Sequence, residues 1–199
     1  LRDKRCVVVG GGIVAQRKTA GLLRAGADVT VVAPELTEEL SRLRDDRRLR
    51  HLALRFRPEH LDGAWLVIAT TDDGTVNQEV ATAAGERRVF ANVVDNLPLC
   101  SFTAPAVVDR APLQIAISTG GASPILARLL KSRLETLIPA SYGRLAALMG
   151  LFRERVRQRI SDFGARRRFW EDVLQGPIAE LVLARREDVA IAALDATLD

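Results

Sequence analysis

The chain has 199 residues, 48% hydrophobic and 27% charged, with a formal charge of +4, the make-up of one large globular domain or two small ones. No apolar run nears the roughly 18–20 residues of a membrane span and no secretory leader is visible, so a soluble cytoplasmic protein without membrane contact is expected. Two cysteines, Cys6 and Cys100, are too few for a disulfide framework, and His51 and His60 lack ligand neighbours, which excludes a structural zinc site.

Arg5–Val9 is a short apolar run that ends in Gly10-Gly11-Gly12, as a strand buried on both faces does. Cys6 lies within it and is expected to behave as a small core residue. A helix is predicted from about Ile13 to Ala25, stopped by Gly26. Val29–Ala33 is a second buried strand, followed by a short helix with Leu36, Leu40 and Leu43 on one side. His51–Arg57 alternates, with Leu52, Leu54 and Phe56 opposite Arg55 and Arg57, so it predicts a half-exposed strand near a sheet edge. Trp65–Thr70 is another buried strand. Thr71-Asp72-Asp73 would cap a helix running to about Ala84, and Val89–Val94 completes the series. Strands separated by helices of this length predict a Rossmann-type α/β domain with a parallel sheet and right-handed crossovers.

The pattern changes after Asp95. Phe102–Thr103, Ala106–Arg110 and Leu113–Ser118 are strand-like with short connections, which favours antiparallel pairing. From Ser123 the chain reads as helical, with Ser123 as N-cap and Pro124 in the first turn. Ile125, Leu126, Leu129, Leu130, Leu134 and Leu137 form a wide apolar face that needs a partner surface. A second module is therefore expected from about Asn96, built to dimerise and to close over a ligand. Between Arg153 and Arg168, seven arginines face only Glu154 and Asp162. Such a surplus suits a nucleic acid or a polycarboxylate metabolite, and it equally suits a solvated helix face.

Val7-Val8-Val9-Gly10-Gly11-Gly12-Ile13-Val14-Ala15 fits G-x-G-x-x-G/A between a strand and a helix. Gly10 permits the turn, Gly12 lets backbone approach a pyrophosphate, and Ala15 lets helix and strand pack closely. The helix N-terminus adds free N–H groups and a positive dipole end. At the end of the second strand stand Ala33-Pro34-Glu35. Either the Glu35 carboxylate reaches the ribose or backbone groups of Pro34 and Glu35 do, unless Glu35 is a solvated residue before a helix. No arginine sits beside it to receive a 2′-phosphate, which favours NAD over NADP. Thr70 and Thr71 would border the same crevice, as helix-capping residues, as ligand contacts, or as both. Asp95 leaves the fifth strand at that end of the sheet. A carboxylate there is a candidate proton acceptor beside a nicotinamide, and a turn residue otherwise. Ser118-Thr119-Gly120-Gly121 opens the helix at Ser123, and either seats an anionic group or forms a turn and cap.

The segments VVVGGGIVAQRKTAGLL, VIATTDD, ANVVDNLPLCSF, ISTGGASPILARLL and ARRRFWE together resemble the dehydrogenase/ferrochelatase module of sirohaem synthase, over the whole chain and in the right order. The resemblance implies NAD-dependent oxidation of precorrin-2 to sirohydrochlorin. In many members insertion of ferrous iron follows, iron being a substrate rather than a bound cofactor. It implies a Rossmann domain over 1–95, a dimerisation region over 96–138 that exchanges elements in a homodimer, and a helical domain over 139–199. The family's dinucleotide contacts fall on Gly10 to Ala15, including Ile13 and Val14, and on Pro34 and Glu35. Its key aspartate, implicated in oxidation and metal insertion, falls on Asp95, which makes Asp95 a possible transient iron contact with no stable metal site. Substrate contacts are expected at Asn92, Ser118, Thr119, Gly120 and Gly121. Thr119 stands where some members carry a serine that can be phosphorylated. Precorrin-2 carries eight carboxylates, which suits the arginine surplus. The alternatives are an enzyme restricted to dehydrogenation and an NAD-sensing DNA-binding regulator. No helix-turn-helix signature supports the latter, so no nucleic-acid partner is expected. Leu1 in place of Met, and Asp199 near where a fused methyltransferase module begins in some members, lead one to expect a longer parent chain.

Overall fold

Five strands, β1 (Arg5–Val9), β2 (Asp28–Val32), β3 (Arg50–Leu52), β4 (Leu66–Ala69) and β5 (Phe90–Val93), form an all-parallel sheet in the order β3-β2-β1-β4-β5. The structure is a computed structural model that describes residues 1–198. Helices α1 (Ile13–Arg24), α2 (Glu38–Asp45) and α3 (Gly74–Glu86) connect the strands. Successive strand residues feed opposite cores, which is why the strands read as continuous rather than alternating apolar runs. Cys6, Val8, Val29, Val31, Leu66 and Ile68 pack with Ala15, Leu22, Leu40 and Leu43 of α1 and α2. Val7, Val9, Val67, Ala69, Ala91 and Val93 pack with Val80, Ala83 and Ala84 of α3. Burial pushes the Cys6 thiol above its ordinary range, with Asp28 adding to the rise. Cys6 is the core residue it was expected to be.

The registers align Val9 with Val32 on one side and with Ala69 on the other, and Ala69 with Val93. The strands therefore end level, and their C-terminal edge carries Gly10, Ala33, Thr70 and Val94 in a row. The chain crosses from β3, on one side of β1, to β4 on the other, so the switch point lies between β1 and β4.

Two expectations about this sheet need correction. β3 pairs over three residues only, because the Leu54 N–H bends back onto the Leu52 carbonyl at 2.8 Å and breaks the alternation. Leu54 is left 55% exposed while Phe56 turns inward. Trp65 precedes β4 and is also largely exposed, with the Lys4 ammonium 4.2 Å from its ring centroid.

After β5 the chain passes through a 3-10 turn, Leu97–Leu99, and returns to β5 through hydrogen bonds from the Ser101 and Phe102 N–H groups to the Ala91 carbonyl. Phe102–Thr103 thus closes the sheet without forming a strand. This return carries the first compact unit to Ala104 rather than Asp95.

The second unit starts at Pro105. β6 (Ala106–Arg110) and β7 (Leu113–Ile117) form an antiparallel hairpin with Ala106 opposite Ile117. α4 (Pro124–Leu137) follows, and its N-cap Ser123 accepts the Leu126 N–H at 3.2 Å. The Arg110 guanidinium donates to the Ile138 carbonyl at 2.8 Å and the Glu135 carbonyl at 3.2 Å, placing a cation at the negative end of α4. α5 (Ser141–Arg159), α6 (Phe163–Gln175), α7 (Pro177–Leu183) and α8 (Glu187–Ala196) surround a core that includes Leu148, Phe152, Val156, Val182 and Leu194. Gly143 lies so near the Arg110 carbonyl that a Cβ would collide with it, so α5 packs directly on the hairpin. Hairpin, α4 and bundle therefore lie in one compact unit. On α4 only Ala127 is buried, and Ile125 and Leu137 are 74% and 71% exposed.

Candidate dinucleotide site

β1 hands over to α1 through three glycines. Gly10 holds φ +117°, and a Cβ there would press on Thr70 Oγ1 across the switch point. Gly11 is more constrained, since a Cβ would collide with the Glu35 backbone carbonyl. Gly12 has nothing within 4 Å of the place a Cβ would take. The turn is closed on two sides and open on the third. Gly12 is the N-cap of α1, no side chain caps it, and the first turn carries no acidic residue. First-turn amides have no acceptor within a helix, so this end suits an anion. Ile13 is 64% exposed beside it, Val14 is half-buried, and Ala15 is fully buried where α1 meets the sheet.

The loop after β2 is clamped onto this turn. The Thr37 N–H donates to the Gly11 carbonyl at 3.0 Å, and Thr37 Oγ1 donates to Gln16 Oε1 at 3.1 Å. On its other side His51 Nε2 lies 2.8 Å from the Ala33 carbonyl. Pro34 and Glu35 stand exposed, and among the described residues the Glu35 side chain enters no hydrogen bond or ion pair.

At the end of β4, Thr70 Oγ1 donates to the Val9 carbonyl at 3.0 Å. Thr71 Oγ1 donates to Asn77 Oδ1 at 2.8 Å, and the Asn77 amide returns a bond to the Thr71 carbonyl at 2.9 Å. Both threonines hold the walls of the crevice, and the cap of α3 falls to Asp73. Asp95 follows β5 in an exposed turn at φ +59°, with no side-chain partner among the described residues. Adjacent strands lie about 4.8 Å apart, so two steps across the sheet separate the ends of β1 and β5 by roughly 10 Å. Asn92 is buried, and its Nδ2 donates to the Phe102 carbonyl at 3.1 Å, so the amide expected to meet substrate is engaged within the protein.

In the second unit, Ser118 Oγ accepts the Gly120 N–H at 3.1 Å and Thr119 Oγ1 accepts the Ser123 N–H at 3.0 Å. Gly120 and Gly121 adopt φ of +62° and +87°. Of the arginine stretch, Arg155, Arg157 and Arg167 pair with Asp195, Glu154 and Glu171, and Arg166 binds the Ile160 and Ser161 carbonyls. Arg153, Arg159 and Arg168 are exposed and unpaired among the described residues. Among those residues no cluster of three or more His, Cys, Asp or Glu is placed to hold a metal, and no helix is long and apolar enough to cross a membrane.

Sequence reasoning missed Gly11 and the Thr37–Gln16 clamp. The middle glycine of three, unexplained by G-x-G-x-x-A, was the available signal.

Residues 1–106 match a family model described as "Putative NAD(P)-binding", residues 110–137 one described as "Sirohaem biosynthesis protein central", and residues 141–198 one described as "Sirohaem synthase dimerisation region". The chain belongs to the putative NAD(P)-binding family whose model covers its first 106 residues. Siroheme synthase of Nitrosospira multiformis is 55% identical over 203 residues, covering 100% of this chain and 43% of that protein. That of Methylobacillus flagellatus is 54% identical over 198 residues, covering 100% and 42%. The chain thus spans less than half the length of these sirohaem synthases. A solved structure titled "SirC, precorrin-2 dehydrogenase" shares the fold, with a TM-score of 0.74 and 24% identity over 94% of this chain and 96% of that one. The model described as "Sirohaem synthase dimerisation region" covers α5–α8, whereas the resemblance placed dimerisation over 96–138.

Proposed function

We propose that this chain is an NAD-dependent dehydrogenase that oxidises precorrin-2 to sirohydrochlorin on the way to sirohaem. The observation that carries this is the order of groups along one sheet edge. Glu35 follows β2, the glycine turn β1, Thr70-Thr71 β4 and Asp95 β5, each at the C-terminal end of neighbouring strands, where such sheets bind ligands. The match to a putative NAD(P)-binding model, the two sirohaem models that follow it and the names of the similar proteins support the same reading.

Bound NAD would supply the hydride acceptor. The amides at the start of α1 and the bare face of Gly12 hold its pyrophosphate, and exposed Ile13 and half-buried Val14 lie against it. Pro34 and Glu35 meet the adenosine ribose, where the carboxylate accepts from a 2′-hydroxyl and repels a 2′-phosphate. Asp95 takes the proton that leaves the macrocycle as hydride departs and, being exposed, releases it to solvent. The substrate thereby loses a hydride and a proton and gains conjugation. In the second unit, Arg153, Arg159 and Arg168 and the Ser118–Gly121 loop are the groups suited to substrate carboxylates. We extend the proposal to iron insertion, with ferrous iron as substrate and two pyrrole N–H protons leaving as the metal enters, one to Asp95 and the other to solvent. A cytoplasmic homodimer completes it, since the α4 face is apolar and exposed.

The test is incubation of the intact protein with precorrin-2 and NAD, following NADH, and then addition of ferrous iron. NADH should accumulate with NAD and far less NADPH with NADP, and iron should then give the sirohaem spectrum. No NADH with authentic precorrin-2 would overturn the dehydrogenase, and NADH without iron uptake would remove only the second step.

A further inference from the structure

β5 is the last strand of its sheet, and among the described residues no strand covers its outer edge. The backbone groups of Ala91 and Val93 on that edge need partners, and the strap Leu97–Phe102 supplies them. Ser101 Oγ accepts the Ala91 N–H at 2.8 Å, and the Ser101 N–H donates to the Ala91 carbonyl at 2.8 Å. One step along, Cys100 Sγ accepts the Val93 N–H at 3.2 Å. The same sulfur lies 3.2 Å from the Val93 carbonyl and 3.3 Å from the Asn96 carbonyl, both within reach of its S–H. Asn92 Nδ2 binds the Phe102 carbonyl at 3.1 Å and lies 3.6 Å from the sulfur, tying the strap to the strand.

Between the two carbonyls within reach of the thiol stands the turn Val94-Asp95. Asp95 holds φ +59°, a left-handed conformation that aspartate tolerates better than most non-glycine residues and that aims its carboxylate out of the turn only while the turn keeps its shape. The turn's own closure is one hydrogen bond, from the Asn96 N–H to the Val93 carbonyl at 3.2 Å. The thiol adds a second restraint across the same two residues. Without it the exposed carboxylate of Asp95 would sample several positions, and a misplacement of ~1 Å costs on the order of 10²-fold in rate.

We propose that the 97–102 strap is a positioning device for Asp95, with Cys100 and Asn92 as positioning residues that act through the turn and not on the reacting atoms. The proposal rests on the reading of Asp95 as proton acceptor.

The test follows hydrogen exchange of peptides spanning residues 92–99 in the intact protein, alongside steady-state turnover of precorrin-2 with NAD. Cys100→Ala should speed exchange across the turn and lower kcat roughly tenfold, with the affinity for NAD unchanged. Cys100→Ser, which keeps a donor and an acceptor on a shorter bond, should recover part of kcat. In an Asp95→Ala background, Cys100→Ala should cost no further rate while still speeding exchange. Should Cys100→Ala not fold, Asn92→Ala loosens the strap without touching the thiol and should give the same pair of changes. A folded Cys100→Ala or Asn92→Ala with wild-type exchange or wild-type kcat overturns the proposal. A merely structural seal would lower thermal stability and leave kcat intact. Wild-type turnover by Asp95→Ala would instead refute the role of Asp95, and the positioning role would fall with it even if exchange had risen.

Discussion

The three consecutive glycines after β1 are required for different reasons, and substitutions separate them. At Gly11 a methyl group would meet the Glu35 carbonyl, backbone against backbone with no flexible tip to yield. Gly11→Ala should therefore cost roughly 1–3 kcal/mol of stability, displace the 34–37 loop and weaken NAD binding together. Gly12 faces open space at the N-cap of α1. Gly12→Asp should stay within about 0.5 kcal/mol of wild-type stability, because aspartate is a favourable N-cap. It should nonetheless abolish NAD binding, because its charge occupies the anion position. Thermal unfolding with NAD titration of both variants checks this contrast, and unchanged NAD affinity in Gly12→Asp would show that the turn is merely structural. Gly12 and Ala15 were legible in the sequence because their roles belong to a local strand–turn–helix motif. The role of Gly11 was not, because the atom that excludes a side chain comes from a loop in another crossover. Asn92 shows the same limit, since a buried amide and a substrate-facing one look alike until the returning strap is seen.

Among the elements, those with strong local signals matched the sequence closely. β1, α1, β2 and the Ser123 cap of α4 fall within a residue or so of their predicted limits. β3 did not, because an edge strand is held from one side only and the bend at Leu54 ends it early. The start of α3 can be tested directly. Asp73 Oδ1 accepts the Thr75 N–H at 2.8 Å and the Val76 N–H at 3.2 Å, and no acidic residue elsewhere in the first turn shares that work. Asp73→Ala should cost about 1 kcal/mol, a fall of roughly 4–8 °C in the melting temperature of a domain this size. The affinity for NAD should change little, because the α1 amides and the 34–37 loop do not depend on this cap. Calorimetry and NAD titration on the same samples measure both, and a large loss of NAD affinity would mean that the β4–α3 turn contributes to the site more directly than its hydrogen bonds indicate.

For the whole molecule, every group assigned to NAD lies within Leu1–Ala104, and the exposed apolar face of α4 lies in the other unit. The sequence made that face legible through its helical spacing and placed it in the second module, where the structure has it. The hairpin, α4 and the bundle share one unit because Gly143 and Arg110 bring distant segments together. Ile125, Leu126, Leu129 and Leu130 are all at least 36% exposed. Fully burying such a side chain stabilises by ~1.5–3 kcal/mol relative to leaving it in water, so the face supplies a substantial drive for self-association. Two charges on it should remove that drive without unfolding α4, since neither position is buried in the unit's own core. Ile125→Glu combined with Leu129→Glu should therefore lower the mass measured by sedimentation from dimer to monomer, while NAD affinity stays at the wild-type value. A variant that remains dimeric would assign the self-association to the α5–α8 bundle alone. A variant that loses NAD binding along with the dimer would show that the nucleotide site of the first unit is not complete within one chain.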